Sequence, residues 1–345
     1  MSKSTLFFFF FFSCIILSTA VQAQTDSAGF FYQKGLQEKQ NGRRLESYKY
    51  FEKALHYDEH NKAVLAEMAA ACMDLRKYSQ AKEMYKKLAD LGDAPATTYQ
   101  QLMNLSFNMR QFDDAILYAN QWKKADQSAK VSYIIGKVNY EQENYGEAIR
   151  YLTAAAKEEP ANGEIPYLIA RSYSDMSNYK QAIPFFQQAV ALDTTKSNWL
   201  YELGLICYAS HDDKNALKYI LLAGEKGYKR DNDYLENLGI AYLNAGRFDE
   251  GLAIMNELLK KRPSDLNILD MVAEACYYKG KYDQAMGYWD TILGYDKTNA
   301  AALYMIGMCY QKKGDKDKGV QLCDKAIEMD PSLASYKQKK MNMGL

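Results

Sequence analysis

The sequence of 345 residues has no excess of charge of either sign, because 43 Lys and Arg balance 43 Asp and Glu. Nucleic-acid binding rests mainly on clustered basic side chains that neutralise phosphates, and no basic block is present. We therefore expect no nucleic-acid partner. Histidine is scarce, at 3 residues. His56 and His60 have the spacing of a helical metal pair, but no further ligand cluster accompanies them, so we predict no metal site.

Long apolar runs are missing after the first residues of the chain. The start combines Lys3, an apolar stretch from Leu6 to Leu17, and a small residue at Ala23. This pattern predicts a signal peptide over residues 1–23, cleaved after Ala23, because the stretch is shorter than the ~20 residues that span a bilayer. We expect an exported chain, periplasmic, outer-membrane associated or secreted, with no transmembrane segment after cleavage. Retention or lipidation of the segment, the latter at Cys14, is the alternative.

A period close to 34 residues runs through the rest of the sequence. Small residues that lie in equivalent apolar patterns recur at gaps of 34, 34, 33, 34, 34, 35, 34 and 34: Ser47, Ala81, Ala115, Ala148, Ala182, Ala216, Gly251, Ala285 and Gly319. A helix-turn-helix repeat has this length. We predict nine repeats over residues 24–333 that start near Ala28, Lys62, Ala96, Ala129, Gly163, Ser197, Asn232, Leu266 and Ala300. Residues 334–345 are predicted to form a capping helix.

Each repeat carries two helical patterns, which predict an all-α fold. In the first helix, apolar or small residues recur at repeat positions 4, 7, 8 and 11, and in the second at 20, 24 and 27, so each helix has one apolar face. Position 15 carries Gly42, Gly246, Gly280 and Gly314, where a residue able to adopt positive φ lets the chain reverse. Nine such repeats leave no room for a separate catalytic domain.

The residues at these positions resemble the tetratricopeptide repeat family. That family places Leu at 7, Gly or Ala at 8, Tyr at 11, Ala at 20 and 27, Phe or Tyr at 24 and Pro at 32. Matching residues are Leu238, Gly239, Tyr242, Ala182, Phe186, Ala189, Pro160, Pro263 and Pro331. The resemblance implies a right-handed superhelical solenoid with first helices on the concave side, used for holding proteins or peptides.

Cysteines and carboxylates give little support to catalysis. Three of the five cysteines after residue 23 occupy position 11 and one occupies position 24, where buried thiols are expected; Cys309 with Cys323 is the one disulfide worth testing. No nucleophile motif, phosphate loop or dinucleotide fingerprint is present, and the acidic doublets lie at helix ends. We predict a non-catalytic protein without a cofactor. A helical toroid that hydrolyses glycosides is the enzyme alternative.

The predicted site lies at first-helix positions that the apolar stripe does not use. Tyrosine presents a rigid ring with a polar tip and is frequent at binding hot spots, and nearby cations add cation–π and charge contacts to a peptide. The predicted groove covers repeats four to six, with Tyr133, Lys137, Tyr140, Tyr167, Arg171, Asn198, Tyr201 and Tyr208. Two alternatives remain open: the rings stack only on the next repeat, or they bind a glycan. We predict a protein-interaction scaffold or adaptor of the cell envelope that binds a protein or peptide.

Overall fold

Residues 27–335 are all α and consist of paired helices. The computed structural model describes residues 27–335, so the predicted signal peptide and residues 336–345 of the predicted cap lie outside the described part. In this described part the helices form nine pairs, α1 with α2 through α17 with α18: α1 residues 27–40, α2 Arg44–Tyr57, α3 Lys62–Asp74, α4 Tyr78–Asp90, α5 Ala96–Asn108, α6 Phe112–Ala125, α7 Ser132–Glu141, α8 Tyr145–Glu158, α9 Glu164–Asp175, α10 Tyr179–Leu192, α11 Ser197–Ala209, α12 Asp213–Glu225, α13 Asn232–Asn244, α14 Phe248–Lys261, α15 Leu266–Tyr278, α16 Tyr282–Tyr295, α17 Ala300–Lys313 and α18 Lys316–Met329.

The helix boundaries confirm the predicted repeat register. First helices begin at the predicted residues Lys62, Ala96, Ser197, Asn232, Leu266 and Ala300, while α7 begins three residues late and α9 one residue late. Polar side chains just before several of these helices satisfy backbone N–H groups that have no partner inside the helix. Asn61, for example, accepts from the Val64 N–H and Asp265 from the Ile268 N–H. Between residues 27 and 335, no helix has both the length and the apolar character to cross a bilayer.

The turn inside each pair adopts a left-handed conformation at repeat position 15. The predicted glycines do so, with φ of 74° at Gly42 and 99° at Gly314. The other five repeats adopt it without glycine, at Arg76, Arg110, Glu143, Ser177 and His211. Because a Cβ is crowded in this conformation, each non-glycine residue there costs about 1 kcal/mol.

Exchanging residues at position 15 should therefore change the stability in opposite directions. We expect Glu143→Gly to raise the free energy of unfolding by about 0.5–1 kcal/mol, because glycine removes the crowded Cβ. The flexibility of glycine in the unfolded chain offsets part of this gain. Gly280→Ala should lower it by about 1 kcal/mol. Urea unfolding followed by circular dichroism measures both changes. Equal signs for the two variants would contradict the conformational explanation.

Small residues at position 8 let the two helices of a pair approach closely. A Cβ added to Gly136 would lie 2.7 Å from Leu152 Cγ, and one added to Gly204 would lie 2.6 Å from Ile220 Cγ1. Leu152 and Ile220 occupy position 24 of the same repeats and are almost fully buried. At these contacts the small residue at position 8 faces the large residue at position 24 of the same repeat.

Successive pairs share a core within each of two compact units, one ending at Ser172 and the next beginning at Tyr173. In the first unit, one cluster joins Phe51 of α2, Met68 of α3 and Leu105 of α5. In the second unit, another joins Met255 of α14, Val272 of α15 and Ile306 of α17. Within each unit, neighbouring repeats therefore bury each other's apolar faces, as a hairpin too small for its own core requires.

Candidate functional site

The predicted site residues of the first unit lie on a helix face that the core leaves uncovered. In α7, Ile135 and Val138 are buried, with 3% and 0% of their surface exposed. Tyr133, Lys137 and Tyr140 keep partial exposure. Their spacing of four and three residues places these three side chains on one side of the helix. Helix α7 thus presents two phenol rings and one ammonium group together.

Lys137 lies at the centre of this face and contacts the first helices of three successive repeats. Its Nζ donates to Glu164 Oε1 of α9 at 2.7 Å and to the Tyr133 hydroxyl at 3.2 Å. The same ammonium lies 5.8 Å from the centroid of the Phe107 ring of α5 and 5.6 Å from that of Tyr133. These contacts join α5, α7 and α9 on one surface.

Arg171 repeats this arrangement one repeat further along the chain. Its Nη1 donates to the Tyr167 hydroxyl at 3.2 Å, and its Cζ lies 6.0 Å from the centroid of the Tyr140 ring. Each cation at position 9 thus contacts a tyrosine at position 5 of its own repeat and an aromatic ring at position 12 of the preceding repeat. We call this set the cation–aromatic ladder: Phe107, Tyr133, Lys137, Tyr140, Tyr167 and Arg171.

Glu164 of α9 places a counter-charge beside the ladder. Burial, and second to it a hydrogen bond with Glu164, raise the pKa of Tyr133 to about 12, so its phenol is neutral near pH 7. Burial alone would lower the pKa of Lys137, but hydrogen bonds to Glu164 and Tyr133 outweigh it and raise that pKa. An acidic ligand would have to displace the Glu164 carboxylate from Lys137. A ligand that contacts only the aromatic rings would leave the Lys137–Glu164 ion pair in place. Glu164 was not among the predicted site residues.

The three predicted residues of the second unit lie on α11 and differ in exposure. Tyr201 is only 8% exposed, and its ring stacks on that of Tyr228 with centroids 4.2 Å apart. Its hydroxyl accepts from Asn237 Nδ2 at 2.7 Å. Tyr201 therefore packs between repeats, and its prediction as an accessible anchor is wrong because neighbouring side chains cover the ring. Asn198 and Tyr208 are exposed, and their binding roles stay predictions.

Tyr208 lines a pocket of about 350 Å³ between first helices of the second unit. Ile240 and Leu243 of α13 and Met271 of α15 supply apolar walls, and Glu274 supplies a carboxylate. Glu274 was not among the predicted site residues, although an acid at position 9 contrasts with Lys137 and Arg171 at the same position. That contrast is the signal that could have identified the pocket.

Within residues 27–335, cysteine and histidine side chains form no second candidate site. The five cysteines within residues 27–335 are unbridged and buried, which confirms the expectation of buried thiols. Burial raises the pKa of the Cys207 and Cys309 thiols to about 12, which keeps both protonated near neutral pH. In the same range, no three His, Cys, Asp or Glu side chains are placed to hold a metal ion.

Two family models, both described as tetratricopeptide repeat, match residues 64–295 and 300–333. Among curated proteins, the chain is 26% identical over 207 residues to human DnaJ homolog subfamily C member 7, covering 57% of this chain and 42% of that protein. It is 21% identical over 216 residues to the TPR repeat-containing protein YpiA of Bacillus subtilis, covering 61% and 51%. The chain thus matches about half the length of these relatives.

Among solved structures, the chain is similar to YrrB, described as a TPR protein with an unusual peptide-binding site. The TM-score is 0.43 at 21% identity, over 55% of this chain and 97% of that one. The C-terminal part of a TPR repeat-containing protein from Cytophaga hutchinsonii gives a TM-score of 0.47 at 16% identity, over 80% and 99%.

Proposed function

The chain belongs to the tetratricopeptide repeat family, and from this premise we propose that it is a non-catalytic scaffold that binds an extended segment of a partner protein along its first helices. Proteins of this family bind protein or peptide partners and are typically non-catalytic. The observation that supports this choice is the cation–aromatic ladder on α5, α7 and α9. Its residues occupy positions that the apolar stripe of the repeat leaves free.

The chemistry of the ladder suits a polypeptide. Partly exposed tyrosine rings offer a rigid apolar surface, and their hydroxyls, with Lys137 and Arg171, offer hydrogen bonds to main-chain or side-chain oxygens. The Lys137–Glu164 pair, with an Nζ–Oε1 distance of 2.7 Å, limits the net charge at the centre. We therefore propose that ring contacts supply most of the affinity and that the cations set the register of the bound segment.

A glycoside hydrolase would instead need two facing carboxylates, one to donate a proton and one to act as nucleophile or base. Beside the ladder, the Glu164 carboxylate is engaged by Lys137. A glycan-binding protein could use the same rings by stacking them on sugars, so the binding experiment must include both classes of ligand.

We also propose that the protein acts in the cell envelope. Support comes from the sequence of residues 1–23, with Lys3, the apolar stretch and the small residue at Ala23. The capture experiment is therefore carried out on separated envelope and cytoplasmic fractions of the native host. A full-length chain confined to the cytoplasmic fraction would contradict this part of the proposal.

The test is crosslinking in host cells with the wild-type chain and with a Tyr140→Ala, Tyr167→Ala double variant. We expect the amount of specifically captured protein to fall about tenfold or more, because two hot-spot rings are removed. Helical content and melting temperature should change little, since neither ring is fully buried.

The matched control is Tyr78→Ala, which removes a tyrosine that is 47% exposed at the start of second helix α4. Capture by this variant should equal that of the wild type. Undiminished capture by the folded double variant would reject the ladder as the binding surface. Capture of a polysaccharide instead of a protein, lost in the same variant, would favour the glycan alternative.

A further inference from the structure

The pocket beside Tyr208 has a composition that differs from that of the ladder. It lies within the second unit, between α11, α13 and α15, and has a volume of about 350 Å³. Two exposed rings flank it, Tyr208 with 43% and Tyr278 with 72% of its surface exposed. Among its lining residues, which all belong to the described part of the chain, Glu274 is the one that carries a charge.

Glu274 has no counter-charge in the described part of the chain. Between residues 27 and 335, no side chain donates a hydrogen bond to its carboxylate or forms an ion pair with it. The carboxylate keeps contact with solvent, but packed neighbours reduce its hydration and Asp270, one turn earlier on α15, adds a like charge. Both effects raise the pKa of Glu274.

We propose that this pocket, which we call the acidic pocket, binds the arginine or lysine side chain of a partner polypeptide. Two independent features favour a cation. The Glu274 carboxylate attracts positive charge, and the faces of the Tyr208 and Tyr278 rings carry negative electrostatic potential that also attracts it. The apolar walls, such as Leu243 and Met271, suit the aliphatic stem of a long basic side chain. The inference rests on the proposed function and adds the chemistry of one partner residue to it.

Other occupants fit this pocket less well. An apolar side chain would fill the volume but would further dehydrate Glu274 without giving it a partner, which is costly. An acidic side chain would add a third carboxylate to those of Glu274 and Asp270. A basic side chain alone compensates the existing charge while it covers the rings.

The experiment uses the full chain and an array of decapeptides that carry one arginine at a defined position. Matched peptides replace this arginine by lysine, glutamine or glutamate. We expect wild-type protein to prefer the basic peptides, and Glu274→Gln to weaken their binding about tenfold or more while glutamine peptides change little. Fluorescence anisotropy titration of the best arginine peptide measures the change.

Glu257→Gln is the matched control, because it removes an equal charge from the exposed surface of second helix α14 in the same unit. It should bind the basic peptides like the wild type. Equal binding of arginine and glutamine peptides by the wild type, or a preference for arginine that persists in Glu274→Gln, would overturn the acidic pocket and leave the proposed function standing. A wild-type chain that binds none of the peptides and captures no host protein would reject both the acidic pocket and the proposed function.

Discussion

Replacing Gly307 by alanine is expected to lower the free energy of unfolding of the last hairpin by about 2–3 kcal/mol. A Cβ at this position would lie 2.8 Å from the carbonyl oxygen of Gly319 and 3.0 Å from the backbone nitrogen of Cys323, both on α18. Gly319 faces the Gly307 carbonyl in the same way. Backbone atoms cannot move aside by changing a rotamer, so α17 and α18 would have to separate.

Substitutions of two other glycines, Gly239 and Gly287, show how the expected loss of stability depends on the atoms around the added Cβ. At Gly239 the nearest atom to an added Cβ is Met255 Cε at 2.8 Å, the end of a flexible side chain, so Gly239→Ala should cost less. At Gly287, inside α16, nothing lies within 4 Å. Gly287→Ala should therefore raise the stability by about 0.5–1 kcal/mol, the usual gain from removing glycine inside a helix.

Urea unfolding followed by circular dichroism ranks the three variants. Because a repeat stack can lose a terminal hairpin before the rest, hydrogen exchange of the α17 and α18 amides measures the Gly307 effect locally. The predicted order of stability is Gly287→Ala, wild type, Gly239→Ala and Gly307→Ala. A Gly307→Ala protein as stable as the wild type would show that the two backbones do not need this contact.

The fold could be predicted from the sequence because every repeat has the same packing requirement and meets it with similar residues. Small residues at position 8, such as Gly204, and large ones at position 24, such as Ile220, recur at a constant spacing in the sequence. This recurrence defines where each repeat begins. The left-handed turns were only half predicted. Glycine identified four of them, whereas Glu143 and Ser177 adopt the same conformation because their helices pack in the same register.

The candidate site was less predictable because position in a repeat does not reveal which groups meet across repeats. Tyr133 and Tyr201 share position 5, yet Tyr133 keeps partial exposure while Tyr228 covers Tyr201. Tyr228 lies in the connection between α12 and α13, at repeat position 32, where the family pattern places proline. Glu164 was missed for a related reason, because its importance depends on the Lys137 ammonium of the preceding repeat.

Trp289 marks the position where a single side chain is expected to contribute most to stability. It occupies position 24 of the eighth repeat and is completely buried. Its Nε1 donates to Asp270 Oδ1 of α15 at 2.7 Å, and its ring meets that of Tyr277 edge-on with centroids 6.2 Å apart. The side chain therefore joins α15 and α16 through both volume and a charge-assisted hydrogen bond.

Trp289→Ala should lower the free energy of unfolding by about 3–5 kcal/mol, because it leaves a large cavity between these helices. Trp289→Phe keeps most of the apolar volume and removes the N–H donor, so it should cost only about 1–2 kcal/mol, since the exposed Asp270 can exchange the indole for water. Urea unfolding of the two variants separates the contributions. An equal decrease of the free energy of unfolding in both variants would mean that the hydrogen bond supplies the stability. The expected larger decrease in Trp289→Ala would mean that the buried ring, which packs α15 against α16, supplies most of it.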